Sequence, residues 1–150
     1  MRLPHNSLVL VADGRKMLLL RNEGQADDPA LTVEYGLEQP NPADHEQKSD
    51  ARGQRPAVGS PGQASAGETD YHQRTEDEFA RSVAGYINAL ALQNDLAPLI
   101  VIAPAGTLGE LRKHYHREAA ACIRAEIGRE MTGYSVEAIT DMLVAHEEVA

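Results

Sequence analysis

Two short runs made entirely of apolar residues constrain this fold more than any other feature of the sequence. Leu8–Ala12 reads LVLVA, within a predicted strand Ser7–Ala12, and Leu99–Ala103 reads LIVIA. An extended backbone with this pattern offers apolar side chains to both faces, so both faces must be covered. The runs therefore predict central strands of an α/β sheet. Pro98 and Pro104 bound the second run, as is typical of a buried parallel strand.

Three further segments have the composition of β-strands. Asp13–Gly14 supplies the turn of a tight hairpin, and Lys16–Asn22 follows as its second strand. Leu31–Tyr35 predicts a third strand that ends at Tyr35 or continues to Gln39. Ile123–Ile127 alternates apolar with polar residues, which is typical of a half-buried edge strand. The first half of the chain is thus predicted to open as an antiparallel meander.

Helical signals begin after a polar central segment. Thr75–Glu78 has the spacing of a capping box, in which the hydroxyl and the carboxylate satisfy free backbone N–H groups, so it predicts a helix start. Apolar residues then recur at helical spacing as far as Gln93. Thr107–Glu110 predicts a second capped helix, Arg117–Cys122 a further helical turn or two, and Ser135 the cap of a last helix.

The segment 40–73 has few side chains to bury and is rich in Gly, Pro and Gln. A loop of this length inside a compact domain is usually either functional or disordered, and both alternatives stay open here. The predicted order is β-β-β-α-β-α-β-α, with this long flexible loop after the third strand. It predicts a single α/β domain over residues 1–150, with a mixed five-stranded sheet in the ribonuclease H-like order.

The charge of the chain limits its partners. With 23 acidic and 14 basic residues, the formal net charge is −9, which disfavours a broad electrostatic grip on nucleic acid because such binding needs clustered cations. The apolar run Leu8–Ala12 is too short for a signal peptide, and no segment is long enough to span a bilayer. The lone Cys122 fits a reducing compartment and is expected to be a buried small apolar residue. We therefore expect a cytoplasmic protein without membrane insertion.

The carboxylates do not form the pattern of a metal-dependent nuclease. That chemistry needs several acids converging on two metal ions. Asp13 lies at the end of the first strand, but residues 99–106 carry no acid, and Glu34 and Glu126 lie on different predicted strands. Asp13 is better explained as a turn residue. The sequence therefore predicts no metal site and no cofactor.

The densest cationic stretch surrounds two histidines. It consists of Arg112, Lys113, His114, His116 and Arg117. Histidines two residues apart do not share a helix face, so joint metal binding there would need an extended backbone. Arginine and lysine side chains at a helix end suit phosphate groups. The stretch therefore predicts either a solvated helix junction or a nucleic-acid-binding site.

Segments along the whole chain carry a resemblance to a known family. They are Leu8–Gly14, the polar loop, Glu78–Val83, Leu99–Pro104, Thr107–Leu111, Glu126–Ile127 and Met131–Thr132. The chain resembles the bacterial host-attachment proteins, described as required for attachment to host cells. That family is related to the middle domain of eukaryotic and archaeal peptide-chain release factors, as a bacterial release-factor-like group. The resemblance implies the ribosome or tRNA as a partner, a role in translation or rescue, and an indirect effect on host attachment.

The resemblance also implies candidate catalytic residues. Release factors carry a Gly-Gly-Gln loop before a long helix, and its Gln positions water for hydrolysis of the peptidyl-tRNA ester. The matching loop here contains two Gly-Gln pairs, Gly53–Gln54 and Gly62–Gln63. By resemblance, Gln54 and Gln63 are the catalytic candidates of a peptidyl-tRNA hydrolase.

Both pairs depart from the release-factor motif at its first glycine. Arg52 precedes one pair and Pro61 the other. Proline holds its own φ near about −65°, whereas glycine adopts many backbone conformations. Two alternatives to hydrolysis therefore stand beside it: a ribosome- or RNA-associated domain without catalysis, and a non-catalytic protein-interaction module.

Overall fold

The computed structural model describes residues 1–39 and 61–147, and for residues 61–70 it describes the backbone alone. Residues 40–60 of the predicted loop, with Gly53 and Gln54, lie outside this part of the chain. The described residues form one five-stranded sheet with helices on both faces.

The sheet is mixed. Its strands are β1 Leu8–Ala12, β2 Lys16–Asn22, β3 Leu31–Glu38, β4 Leu99–Ala103 and β5 Ile123–Gly128. Their order in the sheet is β3-β2-β1-β4-β5. β1 pairs antiparallel with β2 and β2 with β3, while β4 runs parallel to both β1 and β5. The predicted α/β class and mixed five-stranded sheet are confirmed, as is the position of β5 at an edge. The likeness to the ribonuclease H order stays a prediction.

The helices of the described chain are α1 Pro61–Leu92, α2 Ala105–Arg112, α3 Arg117–Cys122 and α4 Val136–Ala145. The predicted start of α1 at Thr75 is wrong, so residues 61–73 are helical rather than part of a loop. The Thr75 hydroxyl donates to the Tyr71 carbonyl at 2.8 Å, one turn earlier, which is the contact of an interior residue. Pro61 suits the first helical position because no N–H is needed there.

The two other predicted caps have opposite outcomes. α2 begins directly after Pro104, whose carbonyl accepts from the Leu108 amide at 2.9 Å. Thr107 therefore lies inside the helix, and the prediction that it caps α2 is wrong. Ser135 does cap α4, because its hydroxyl oxygen accepts from the Ala138 amide at 3.1 Å.

The sheet separates two hydrophobic cores. Leu8 and Leu10 of β1 pack with residues of α1 and α2 on one face, whereas Val9 and Val11 pack with residues of α4 on the other. β4 alternates in the same way, and every residue of both strands is buried. The two runs are thus central strands covered on both faces, as predicted.

Helix α1 is long compared with the sheet it covers. Its 32 residues span about 48 Å at about 1.5 Å per residue. Within residues 71–92, the first buried side chain is Phe79. The stretch 61–78 thus extends for about 27 Å along the helix axis before that residue. We call this stretch the α1 arm.

The lone cysteine is less buried than predicted. Cys122 ends α3 and is half-buried, with its Sγ 3.9 Å from the Leu96 carbonyl oxygen. The position at the helix end, facing the Leu96 carbonyl instead of the sheet, leaves part of the thiol accessible. None of the described helices has the length and apolar character needed to cross a membrane.

Candidate functional site

A cleft of about 610 Å³ lies at the carboxyl ends of the parallel strands. Asp13 follows β1, Pro104 follows β4, and Glu130 comes soon after β5. α1 forms another wall through Gln73 and its neighbours. The carboxyl edge of a parallel sheet is where α/β proteins most often bind ligands, because the loops there converge.

Asp13 joins two parts of this edge. Its Oδ1 accepts from the backbone amides of Arg15 and Lys16, both at 2.7 Å, and thereby closes the hairpin between β1 and β2. Its Oδ2 lies 2.6 Å from the hydroxyl of Thr132, which follows β5. The prediction that Asp13 is a turn residue is confirmed, and the contact with Thr132 adds a second role.

Thr132 stands between two carboxylates. Its hydroxyl oxygen is 2.6 Å from Glu130 Oε1 as well, and the same Oε1 accepts from the Thr132 backbone amide at 2.9 Å. A hydroxyl has only one proton to donate. Since a carboxylate oxygen can accept two hydrogen bonds, the hydroxyl lies within donating distance of both Asp13 and Glu130 and donates to one of them at a time.

The α1 wall is fitted closely to the hairpin. A Cβ added to Gly14 would lie 2.8 Å from Cδ and Cγ of Glu76. A side chain at position 14 would therefore displace Glu76 from the cleft. Gln73 and Asp77 line the same wall, and the Gln73 amide donates to the Asp77 carboxylate at 3.0 Å.

The cleft is acidic. Its lining carries the carboxylates of Asp13, Glu76, Asp77, Glu110 and Glu130. Among the described residues, Arg15 is the one Lys or Arg of the lining. Across the described ranges, no group of three or more His, Cys, Asp or Glu side chains is placed to hold a metal ion. The cleft can therefore attract cationic groups, and it repels phosphates.

Sequence reasoning found only Asp13 among these carboxylates. Glu76 was given no role of its own within the predicted box Thr75–Glu78, and Glu110 was assigned to a helix cap, although both lie in helices beside the cleft. The sequence did contain a signal for two of the carboxylates, because each comes shortly after a strand. Glu110 comes seven residues after the end of β4, and Glu130 two residues after the end of β5. Glu34 and Glu126, which the sequence does not show to converge, lie on β3 and β5 at opposite edges of the sheet, where they pair with Arg21 and Arg112.

Two residues of the predicted cationic stretch form ion pairs with carboxylates. Arg112 pairs with Glu126 at 3.1 Å, and Lys113 pairs with Glu110 at 2.8 Å. The hydrogen bond to Glu110 raises the pKa of the Lys113 ammonium above its ordinary value. Two of the three Arg and Lys side chains in the stretch are thus occupied by carboxylates, which reduces what they offer a phosphate.

The two histidines of the stretch line a groove that is separate from the cleft. The backbone at His116 is extended, with φ −74° and ψ 163°, and neighbouring side chains of an extended segment point to opposite sides. Tyr115 packs against the core, while His114 and His116 both line a groove of about 390 Å³ beside α1. The extended backbone that joint use of these histidines requires is therefore present.

Of the two predicted catalytic pairs, the one in the described backbone is separated from the cleft. Gly62 and Gln63 lie in the first turn of α1. Gln73 lines the cleft, and Gln63 lies ten residues before it in the same helix. Ten helical residues correspond to about 15 Å along the helix axis. Gly53 and Gln54 lie outside the described residues.

Comparison with known proteins locates the chain in a family. A search of curated proteins finds no match. The sequence model of bacterial archaeo-eukaryotic release factor family 12 matches residues 6–143, which include the whole sheet and nearly all of α4. The chain therefore belongs to bacterial archaeo-eukaryotic release factor family 12.

Proposed function

We propose that this protein acts in translation or ribosome rescue in the cytoplasm, as a small ribosome- or RNA-associated domain. The observation that carries the proposal is the family match over residues 6–143. An effect on host attachment would then be indirect, through the synthesis of other proteins.

The α1 arm supports this proposal. It has Pro61–Gln63 at its start, and within residues 71–92 the first buried side chain is Phe79. In a release factor, the Gly-Gly-Gln loop precedes a long helix. Here Gly62–Gln63 likewise lies at the start of a long helix.

Peptidyl-tRNA hydrolysis is the second candidate function. The observation that favours it is the position of Gly62–Gln63 at the first turn of the long helix. The helical backbone at this pair weighs against it, because the release-factor motif is a loop. Pro61 adds to that objection, since it fixes φ where the motif has glycine.

A protein-interaction module is the third candidate. The acidic cleft favours it, because five carboxylates with one arginine suit a basic partner. Such a module would act without catalysis and without contact with RNA.

Co-sedimentation with ribosomes tests the proposal. The purified full chain is centrifuged with 70S ribosomes at low and at physiological salt. We expect it to pellet with the ribosomes and to dissociate as salt rises, because phosphate contacts release counterions. A chain that stays in the supernatant at both salt concentrations would rule out ribosome association and favour the interaction module.

Peptide release tests the hydrolase candidate. Stalled ribosomes carrying labelled nascent peptide are incubated with the wild type, Gln54→Ala, Gln63→Ala and Gln73→Ala. Gln73 is a matched control because it is a glutamine of the same helix that lies in the acidic cleft. If the Gly-Gln pairs catalyse hydrolysis, the wild type and Gln73→Ala release peptide. At least one of Gln54→Ala and Gln63→Ala then releases none. No release by the wild type excludes the hydrolase candidate.

A further inference from the structure

The groove beside α1 differs in charge from the rest of the molecule. We call it the α1 groove: Arg81, Asn88 and Leu92 of α1 form one wall, His114 and His116 form the other, and Gly85 and Ala89 form the floor. Among the residues whose side chains the structure describes, no Asp or Glu lines this groove. Its volume of about 390 Å³ is within the range of ligand sites, about 300–1,000 Å³.

Asn88 holds the two walls of the α1 groove together. Its side chain is only 6% exposed. Its Nδ2 donates to the His114 carbonyl at 2.8 Å, and its Oδ1 accepts from the His116 amide at 2.8 Å. Both polar atoms of the amide are therefore used to fix the backbone of the two histidines. The backbone that carries the two imidazoles is thus held in place relative to α1 before any ligand arrives.

Arg81, which lines the α1 groove, has no carboxylate partner among the described residues. Among the described residues, the ion pairs of this region join Arg112 to Glu126 and Lys113 to Glu110. Neither Arg81 nor Arg117 forms an ion pair with a described residue. Arg117 follows His116 in the chain. An unpaired guanidinium in an acid-free groove is available to an external anion.

We propose that the α1 groove binds the sugar–phosphate backbone of RNA. Arg81 supplies a planar set of donors that matches phosphate oxygens, and the histidines supply ring nitrogens on the opposite wall. Gly85 and Ala89 leave the floor flat, so a ribose can approach α1 closely. Leu92 is 64% exposed at one end of the groove and offers an apolar contact. This inference rests on the proposed role in translation and assigns the RNA contact to a surface other than the α1 arm.

Two glycines allow a clean test of the α1 groove. A Cβ at Gly85 would meet nothing within 4 Å, so Gly85→Glu places a carboxylate in the groove without a clash. Gly109 of α2 has the same open surroundings and does not line the groove. Gly109→Glu is therefore the matched control, with the same change of charge in another helix. Both variants replace a helical glycine by a better helix former, so both should fold.

Binding is measured by fluorescence anisotropy with a labelled single-stranded RNA, and by sedimentation with 70S ribosomes. Gly85→Glu should weaken RNA binding by at least about tenfold, because like charges placed together across an interface are strongly unfavourable. Gly109→Glu should lose clearly less. Arg81→Ala should weaken binding and lower the slope of log K against log salt by about 0.7, the loss of one phosphate contact on a single strand.

The outcomes separate this inference from the proposed function. If the wild type sediments with ribosomes and the two Glu variants bind RNA equally, the α1 groove is not the RNA site, and ribosome association stands. If Gly85→Glu alone loses RNA and the wild type does not sediment, the groove binds RNA, and the ribosomal role is wrong. If polyglutamate competes as well as RNA does, the groove takes an acidic protein segment and the RNA assignment is overturned.

Discussion

The hydroxyl of Thr132 lies 2.6 Å from the carboxylate of Asp13, 119 residues earlier in the chain. Asp13 closes the hairpin between β1 and β2, and Thr132 belongs to the segment between β5 and α4. Thr132 is 7% exposed, so water does not readily replace this contact. The pair therefore ties one edge strand to the centre of the sheet at the mouth of the acidic cleft.

Replacing Thr132 by valine should lower the free energy of unfolding by about 1–3 kcal/mol, because a buried hydrogen bond to a charged acceptor is lost while the shape is kept. Urea denaturation measures the change. Thr140→Val is the matched control, since its hydroxyl donates to the Val136 carbonyl within α4, and it should cost less than about 1 kcal/mol. Equal losses in the two variants would mean that the contact with Asp13 contributes nothing specific.

The sheet was predictable from the sequence, whereas the cleft was not. β1 and β4 are encoded locally, because a run of five apolar residues bounded by turn residues or prolines is typical of a strand covered on both faces. The cleft combines Asp13, Glu76 and Glu130 from a hairpin, a helix and a loop, and their convergence depends on packing that no local pattern encodes. The start of α1 was mispredicted because Gly and Pro were taken as loop signals, although Pro61 suits a first helical turn.

The α1 groove was missed for a related reason. The rule that histidines two residues apart diverge holds for helices, and the backbone between α2 and α3 is not helical. Asn88, which fixes that backbone, lies 26 and 28 residues from its two partners. Sequence spacing around the histidines therefore contained no trace of the residue that holds them.

The end of α1 depends on the left-handed conformation of Asn94, whose φ is 60°. The Asn94 amide donates to the Ala91 carbonyl at 3.1 Å, and the Asp95 amide donates to the Leu90 carbonyl at 2.9 Å, which is the Schellman pattern. Asn94→Val should lower the free energy of unfolding by about 1–2 kcal/mol, because a branched side chain is strained there. Asn94→Gly should be neutral or stabilising. Thermal denaturation compares the two, and a loss of stability in the glycine variant would contradict this account.

Two glycines should respond in opposite directions to the same substitution. A Cβ at Gly24 would lie 2.5 Å from the Asp28 carbonyl oxygen and 2.7 Å from the Ala30 nitrogen, both backbone atoms that cannot rotate away. Gly24→Ala should therefore lower the free energy of unfolding by about 1–3 kcal/mol or more. Gly85→Ala, in open space on α1, should raise it by about 0.5–1 kcal/mol. Chemical denaturation of both variants checks the signs, and a stable Gly24→Ala would show that the turn can rearrange.

Tyr115 should make the protein sensitive to alkali. Its hydroxyl is buried without a hydrogen-bond partner in the described part of the chain. Burial raises the pKa of this phenol above its ordinary value, and the Glu126 carboxylate raises it further. Above pH about 10 the unfolded chain loses the proton while the folded chain keeps it, so stability falls as pH rises.

Tyr115→Phe removes this proton and the unpartnered hydroxyl together. At neutral pH the variant should be at least as stable as the wild type, because an unsatisfied buried hydroxyl is unfavourable. Above pH about 10, the free energy of unfolding of the variant should fall less steeply with pH than that of the wild type. The two slopes should differ by up to about 1.4 kcal/mol per pH unit. Part of the slope should persist, since burial also raises the pKa of Tyr86. Urea denaturation across the alkaline range measures the slopes, with Tyr134→Phe, whose ring is 55% exposed, as the control. If both variants change the slope alike, burial of Tyr115 is not the cause.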